Sequence, residues 1–230
     1  MDEQRVVFDI ETGPLSDTHL AAITSPFNPS DVKLGNLKDT TKIKAKLEQA
    51  ELLYYANITT KAALHAQTGE VVAIGCKSSK GVELRFSPLG TLNIPEADLI
   101  AGFWLQLEET ECRGQRMVGF ASNTFDIPFL IRRSMILGIK YPKWIRRSIQ
   151  YGDVVLVDLL QLWQCSDRHQ YISLDVLCKL MGGEGKMPGV KPTDFAKLIK
   201  SGEARDRDIA INYLTADLEA TWYCAGKMGV

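Results

Sequence analysis

Residues Val6-Val7-Phe8-Asp9-Ile10-Glu11 carry an apolar run straight through two carboxylates. Val6, Val7, Phe8 and Ile10 are the residue types of a strand covered on both faces. Side chains two apart on a strand share a face, so Asp9 and Glu11 point the same way, with Cα atoms roughly 6 to 7 Å apart. Both are then within reach of one small ion. Two like charges in a half-buried place cost energy unless something cationic holds them, and no Lys or Arg interrupts Asp9-Ile10-Glu11-Thr12-Gly13. Whatever this chain folds into, it must place a counter-charge against that strand.

Length and charge narrow the options. A chain of 230 residues with 45% hydrophobic content can bury one large core. Lys and Arg total 27 against 28 Asp and Glu, so any nucleic-acid binding must come from local patches and not from global charge. Five scattered cysteines (Cys76, Cys112, Cys165, Cys178, Cys224) without a Cys-x-x-Cys pair predict reduced thiols in a cytoplasmic setting and no zinc or disulfide framework. The acidic start, Met1-Asp2-Glu3-Gln4, enters a strand at once, which predicts no signal peptide, and no apolar run approaches membrane-spanning length.

Along the chain, Thr12-Gly13-Pro14 predicts the end of the first strand. Residues 16 to 37 show no period and read as a surface excursion. From about Lys38 to Ala66, Ile43, Leu47, Ala50, Tyr54, Ile58 and Ala62 fall at helical spacing, predicting an amphipathic helix packed on one side of the domain. The stretch from about 16 to 66 is thus a helical insertion into one domain spanning 1–230. Strands are predicted at Val71–Cys76, Val82–Phe86, Met117–Ala121 and Val154–Asp158, with helices at 96–111, from Pro128 to Leu137, from Ser173 to Gly182 and from about Ala204 to Gly226. Arg132, Arg133, Lys140, Lys143, Arg146 and Arg147, with Tyr141 and Trp144 among them, read either as a phosphate-tracking patch or as solvated charges around a packed Trp. Asp158, ending its strand, reads as structural.

Two further acids stand out by context. Asp126 lies at a strand-to-helix junction inside Phe125-Asp126-Ile127-Pro128, and by itself reads as a helix N-cap. Asp217 lies mid-helix beside an apolar stripe, with no Lys or Arg three or four residues away to pair with it, and Tyr213 one turn earlier shares its face.

Taken together, Asp9-Ile10-Glu11, Phe125-Asp126 and Tyr213-x-x-x-Asp217 resemble the three exonuclease motifs of the DEDD superfamily of 3′–5′ exonucleases, in its tyrosine subclass, near the proofreading domains of family-B DNA polymerases. Ser173-Leu174-Asp175 with Gly182-Gly183 resembles the segment these proteins carry before the third motif. Histidine-type members place His where this chain has Asn212. One departure is visible: relatives often show Gly-x-Asn where this chain has Gly119-Phe120-Ala121, leaving an asparagine only at Asn123.

The resemblance implies an RNase H-like α/β fold, a five-stranded mixed sheet of order 3-2-1-4-5 with strand 2 antiparallel and helices on both faces. It implies two divalent metal ions, Mg²⁺ or Mn²⁺, one on Asp9, Glu11 and Asp217 and one on Asp9 and Asp126. Such a pair activates water and neutralises charge during phosphodiester hydrolysis. Tyr213, with an ordinary pKa near 10, suits positioning a water better than deprotonating it. Thr12, Leu15, Asn123 and Phe125 would meet the terminal nucleotide. The implied substrate is a single-stranded DNA 3′ end, with RNA ends as the alternative, and with a non-catalytic nucleic-acid-binding protein as the reading from another class. A phosphatase motif of the Asp-x-Asp-x-Thr type fits less well, because Glu11 replaces its second Asp and the sequence offers no evident Lys partner.

Overall fold

The computed structural model describes residues 4–86, 94–145 and 155–230. Five strands, β1 (Arg5–Pro14), β2 (Gly69–Ser78), β3 (Gly81–Phe86), β4 (Arg116–Gly119) and β5 (Leu156–Asp158), form one sheet in the order β3-β2-β1-β4-β5. β2 runs antiparallel to both β1 and β3, while β1, β4 and β5 are mutually parallel. The order and the antiparallel second strand are those the resemblance implied. β1 does not stop at Thr12 as the Thr-Gly-Pro punctuation suggested, because Thr12, Gly13 and Pro14 remain paired with β2.

Alternation along β1 sorts its side chains between two cores. Val6, Phe8 and Ile10 pack with Leu99, Ile100, Phe103 and Leu107 of α3 (Glu96–Cys112) and with Ile127 and Leu130 of α4 (Asp126–Leu137). Val7 faces the opposite layer, made by α5 (Leu159–Gln164), α6 (Leu174–Leu180), α7 (Pro192–Lys200) and α8 (Ala204–Lys227). Each fully buried Leu, Ile or Phe contributes about 1.5–3 kcal/mol, so the two layers clamp the sheet firmly. Asp9 and Glu11 share Val7's parity and therefore point towards α8.

Two local features bring α8 close. The β1–β2 register slips between Glu11 and Thr12, so that Val72 is the extra residue of a bulge on β2. Accordingly, consecutive residues Val72 and Ala73 both join the α8-side core. Gly75, opposite Asp9, lacks the Cβ that would lie 2.7 Å from Leu218 Cδ1 and 3.1 Å from Leu214 Cγ. The missing side chain lets α8 settle onto β2 next to Asp9.

Residues 16–66 form α1 (Asp17–Ile23), a single 3-10 turn at Pro29–Asp31 and α2 (Thr40–Ala62). The helical period marked the right face, since Ile43, Leu47, Ala50, Tyr54 and Ile58 are the half-covered residues of α2. The expected packing against the domain is confined to the last turn of α2, however. Of these stripe residues only Ala62 is buried, and the rest of the face is covered by the chain that precedes it, through Tyr54 Oη donating to the Ser25 carbonyl at 2.7 Å, Lys46 Nζ donating to the Lys33 carbonyl at 2.7 Å and a Phe27–Tyr54 ring contact. α2 is an arm anchored at its C-terminal end. The anchors are Thr12 Oγ1 donating to the Ala63 carbonyl at 2.7 Å, Leu15 N to Thr68 O at 2.9 Å and Arg133 Nη1 to Ala66 O at 3.0 Å.

Arg133 also settles part of the basic cluster. Its guanidinium is buried and forks onto Glu96, at 2.8 and 2.6 Å, so it is structural. Arg132, Lys140 and Lys143 are exposed, whereas Arg146, Arg147 and Val154 lie outside the described residues. No helix among the described residues is long and apolar enough to cross a membrane.

Candidate active site

β1 supplies Asp9 and Glu11, and α8 supplies Tyr213 and Asp217 one turn apart. One oxygen from each of Asp9, Glu11 and Asp217 lies within 4.8 Å of the others. Asp126 comes from the opposite layer, as the first residue of α4, and accepts a hydrogen bond from Ile10 N at 3.3 Å, which ties it to β1 across the Asp9 position. It is not the N-cap. That position is Phe125, which makes no side-chain cap.

The electrostatics are those of crowded acids in a desolvated place. Burial, then the charges of Asp126 and Asp217, raise Asp9 well above the ordinary carboxyl range. Burial, then Asp9 and Asp217, do the same to Glu11. Burial raises Asp126 to about 7 even though the N–H groups of Asp126 and Ile10 favour its charged form. Asp217 is raised by burial against the opposing pull of Lys186.

Lys186 is the residue that sequence spacing missed. It sits 31 positions from Asp217, in the loop between α6 and α7, and places Nζ 2.5 Å from Asp217 Oδ2 and 5.7 Å from the Tyr213 ring centroid. Burial works against its charge, but Asp217 and Asp9 raise its pKa overall. Asp217 is therefore paired after all, by a partner far along the chain. No spacing along the chain signals this pairing, which a loop contact sets up. Asp175 Oδ1 accepts the Lys186 backbone N–H at 2.9 Å, and Gly185, at φ +84, leaves room for that carboxylate where a Cβ would come within 2.4 Å. The Ser173-Leu174-Asp175 segment and the glycines after it hold Lys186 in place.

Tyr213 is buried one helical turn from Asp217, and desolvation plus the neighbouring acids raise its pKa, so it stays protonated. Among the described residues this is the cluster of three or more ligating side chains that converge on one point. Its donors are all hard oxygens, and Asp217 Oδ1 is buried without a hydrogen-bond partner. An orphaned carboxylate oxygen beside two further acids fits Mg²⁺ or Mn²⁺.

Asp9, Glu11, Asp217, Tyr213 and Lys186 open into a cleft of about 480 Å³, bordered also by Thr12, Thr60, Leu64, Phe125, Thr193, Lys197 and Lys200, whereas Asp126 does not border it. A slightly larger depression of about 560 Å³, between the β2–β3 turn and the end of α3, carries no comparable cluster. Thr12 faces the cleft while donating its hydroxyl to the arm. Phe125 borders it, backed by Phe129 at 5.7 Å. Leu15 and Asn123 do not border it. The Leu15 backbone turns to Thr68, and Asn123 is buried, donating its side-chain N–H to Gln161 Oε1 at 3.0 Å. Asp158 explains the departure at Ala121. Its carboxylate accepts Ala121 N and Asn123 N, both at 2.9 Å, and also caps α5 through Leu160 N. The loop before Asp126 is thus shaped from below by Asp158.

A family model described as a predicted 3′–5′ exonuclease related to the exonuclease domain of PolB matches residues 62–227. The chain belongs to that family. The matched stretch contains Asp126, Lys186, Tyr213 and Asp217, while Asp9 and Glu11 lie before it, across the arm. Among solved structures, the family B DNA polymerase of the hyperthermophilic archaeon Pyrobaculum calidifontis aligns with a TM-score of 0.58 and 18% identity, over 97% of this chain and 24% of the polymerase chain. At that identity the likeness speaks for the fold, which is RNase H-like. This chain spans about a quarter of the polymerase's length. No curated protein sequence matches.

Proposed function

We propose that this protein is a metal-dependent 3′–5′ exonuclease of the tyrosine-type DEDD class, acting on single-stranded DNA ends, with 1–230 working as one exonuclease domain. The reading rests chiefly on the convergence of Asp9, Glu11 and Asp217 oxygens within 4.8 Å, next to a buried Asp217 oxygen without a partner. Asp9, Glu11 and Asp217 would hold one divalent ion, and Asp9 with Asp126 a second. Bound there, the pair supplies an activated water and neutralises charge on the entering and leaving oxygens. Tyr213, kept protonated, is a hydrogen-bond donor beside Asp217 and orients the attacking water without removing its proton. Lys186 adds a fixed positive charge at the same point, available to a phosphate oxygen once Asp217 turns to another cation. DNA is favoured over RNA by the kinship with a DNA polymerase's exonuclease domain. With five free cysteines, the reducing cytoplasm is its proposed setting.

The test is incubation with 5′-labelled single-stranded DNA and RNA of one sequence, in Mg²⁺, Mn²⁺ or EDTA, beside Asp9→Ala and Asp126→Ala. Stepwise shortening of DNA that disappears in EDTA, and falls at least about a hundredfold in both variants, is the expected result. Preferential shortening of RNA would move the substrate to exoribonuclease chemistry. Tight binding without shortening under any metal would overturn the enzymatic reading.

A further inference from the structure

The arm at 16–66 has no part in the acid cluster, yet its last turn is a wall of the cleft. Thr60, Ala63 and Leu64 border the same space as Asp9 and Asp217. That turn is held rigidly: the Thr12 hydroxyl and the Thr68 hydroxyl donate to Ala63 O at 2.7 Å and Ala62 O at 2.9 Å, and Arg133 donates to Ala66 O at 3.0 Å. Gly69 allows the close approach, since a Cβ there would meet Ala62 O at 2.7 Å. On this fixed support Leu64 is 57% exposed, outside both hydrophobic cores, and it shares the cleft with the half-buried ring of Phe125. The α7 side of the cleft is cationic. Lys200 is committed to Pro14 O and Glu70, but the Lys197 side chain is 83% exposed, with Asp194 at 3.8 Å as its ion-pair partner among the described residues.

One apolar wall and one cationic wall, meeting at an acid cluster, match the two chemistries of a nucleotide: a base with apolar faces and a charged backbone. We propose that the end of the arm selects the substrate, with Leu64 packing on the face of the terminal base, so that the cleft takes an unpaired 3′ nucleotide and rejects a paired one. A base held against Leu64 and Phe125 has to leave its stack, which a single strand or a frayed end concedes and a stable duplex resists. Contacts to a base face are indifferent to base identity, so selection falls on strandedness and not on sequence. This rests on the exonuclease reading above and adds a role for the arm.

The experiment compares wild type, Leu64→Ala, Leu64→Met and Leu52→Ala on a single-stranded DNA and on the same strand paired to its blunt 3′ end, measuring kcat and KM, with fluorescence anisotropy of labelled DNA in EDTA as the binding readout. Leu52 is 73% exposed on α2, the helix that leads into the turn carrying Leu64, and does not border the cleft, so its variant is the control. Leu64→Ala is expected to raise single-strand KM and weaken EDTA binding roughly five- to tenfold, with kcat within about twofold, and to shrink the preference for single strands. Leu64→Met restores most of the loss, and Leu52→Ala changes nothing. Unchanged KM and strand preference in Leu64→Ala, with wild type active, would overturn the arm's role alone. A fall in kcat at constant KM would do the same, by making Leu64 a support of the acids. A wild type that neither binds nor shortens DNA would remove the exonuclease reading and this one with it.

Discussion

Ala121 carries a backbone conformation its side chain does not favour. It lies at φ +57, where an L residue other than Asn, Asp or Gly costs about 1–2 kcal/mol. The loop tolerates this because Asp158 fixes Ala121 N and Asn123 N, and the same position is where relatives often have Asn, a residue at ease in the left-handed region. Ala121→Asn should therefore raise stability by about 0.5–1 kcal/mol, seen as a melting temperature about 1–4 °C higher. A lower melting temperature would mean that the Asn side chain collides with the Asp158 network. Ala121 stood out as a departure in the second motif, and the structure shows a strained residue whose backbone N–H is held by Asp158. At this scale the sequence was legible where spacing alone decides direction: Asp9 with Glu11 by the strand period, Tyr213 with Asp217 by the helical one. It was not legible for Lys186 or for the roles of Thr12 and Leu15, because their partners at Asp217, Ala63 and Thr68 depend on loops whose paths no local pattern encodes.

Among the elements, α4 is the keystone, since one helix carries both Asp126 at its start and Arg133 two turns later. Arg133 ties Glu96 of α3 and the Ala66 carbonyl below the arm, and Glu96 Oε1 also accepts Val71 N at the start of β2. Breaking a buried pair by removing one partner costs about 3–5 kcal/mol, so Arg133→Met should lower the urea midpoint by that much stability. A loss below about 1 kcal/mol would show that the pair is dispensable. The strands and the longer helices could be read in advance, to within a few residues, from hydrophobic period, whereas α1 and α5 carried no such period and the strand order came from the resemblance of the motifs. The docking of α2 could not. A stripe at helical spacing says which face seeks cover, and α2 does turn Ile43, Leu47 and Tyr54 inwards, but the cover is the arm's own preceding loop. The bulge at Val72 was equally hidden, since a register slip leaves the apolar run Val71 to Ile74 unchanged in sequence while turning Val72 and Ala73 to one face.

For the whole molecule, the acid cluster makes stability depend on pH and on metal together. Asp9, Glu11, Asp126 and Asp217 all titrate higher when folded than their ordinary carboxyl values, chiefly through burial, so around neutral pH the native state binds more protons than the unfolded one. Metal-free stability must then fall as pH rises from about 4 through the folded pKa values, about 7 for Asp126. Lys186, raised further above its already high pKa, and Asp175, lowered by Lys179 and the Lys186 N–H, titrate outside that range and leave the slope alone. A divalent ion reverses the trend, because it takes only ionised carboxylates and stabilises by mass action, about 2.7 kcal/mol at a hundred times its Kd. The decisive measurement is the melting temperature between pH 5 and pH 8, with and without Mn²⁺. The metal-site account predicts a metal-free curve that falls with pH and, at pH 8, a rise of about 5–10 °C on adding saturating Mn²⁺ that Asp217→Asn abolishes. A metal-free curve that is flat or rises, together with no shift at millimolar Mn²⁺, would contradict it.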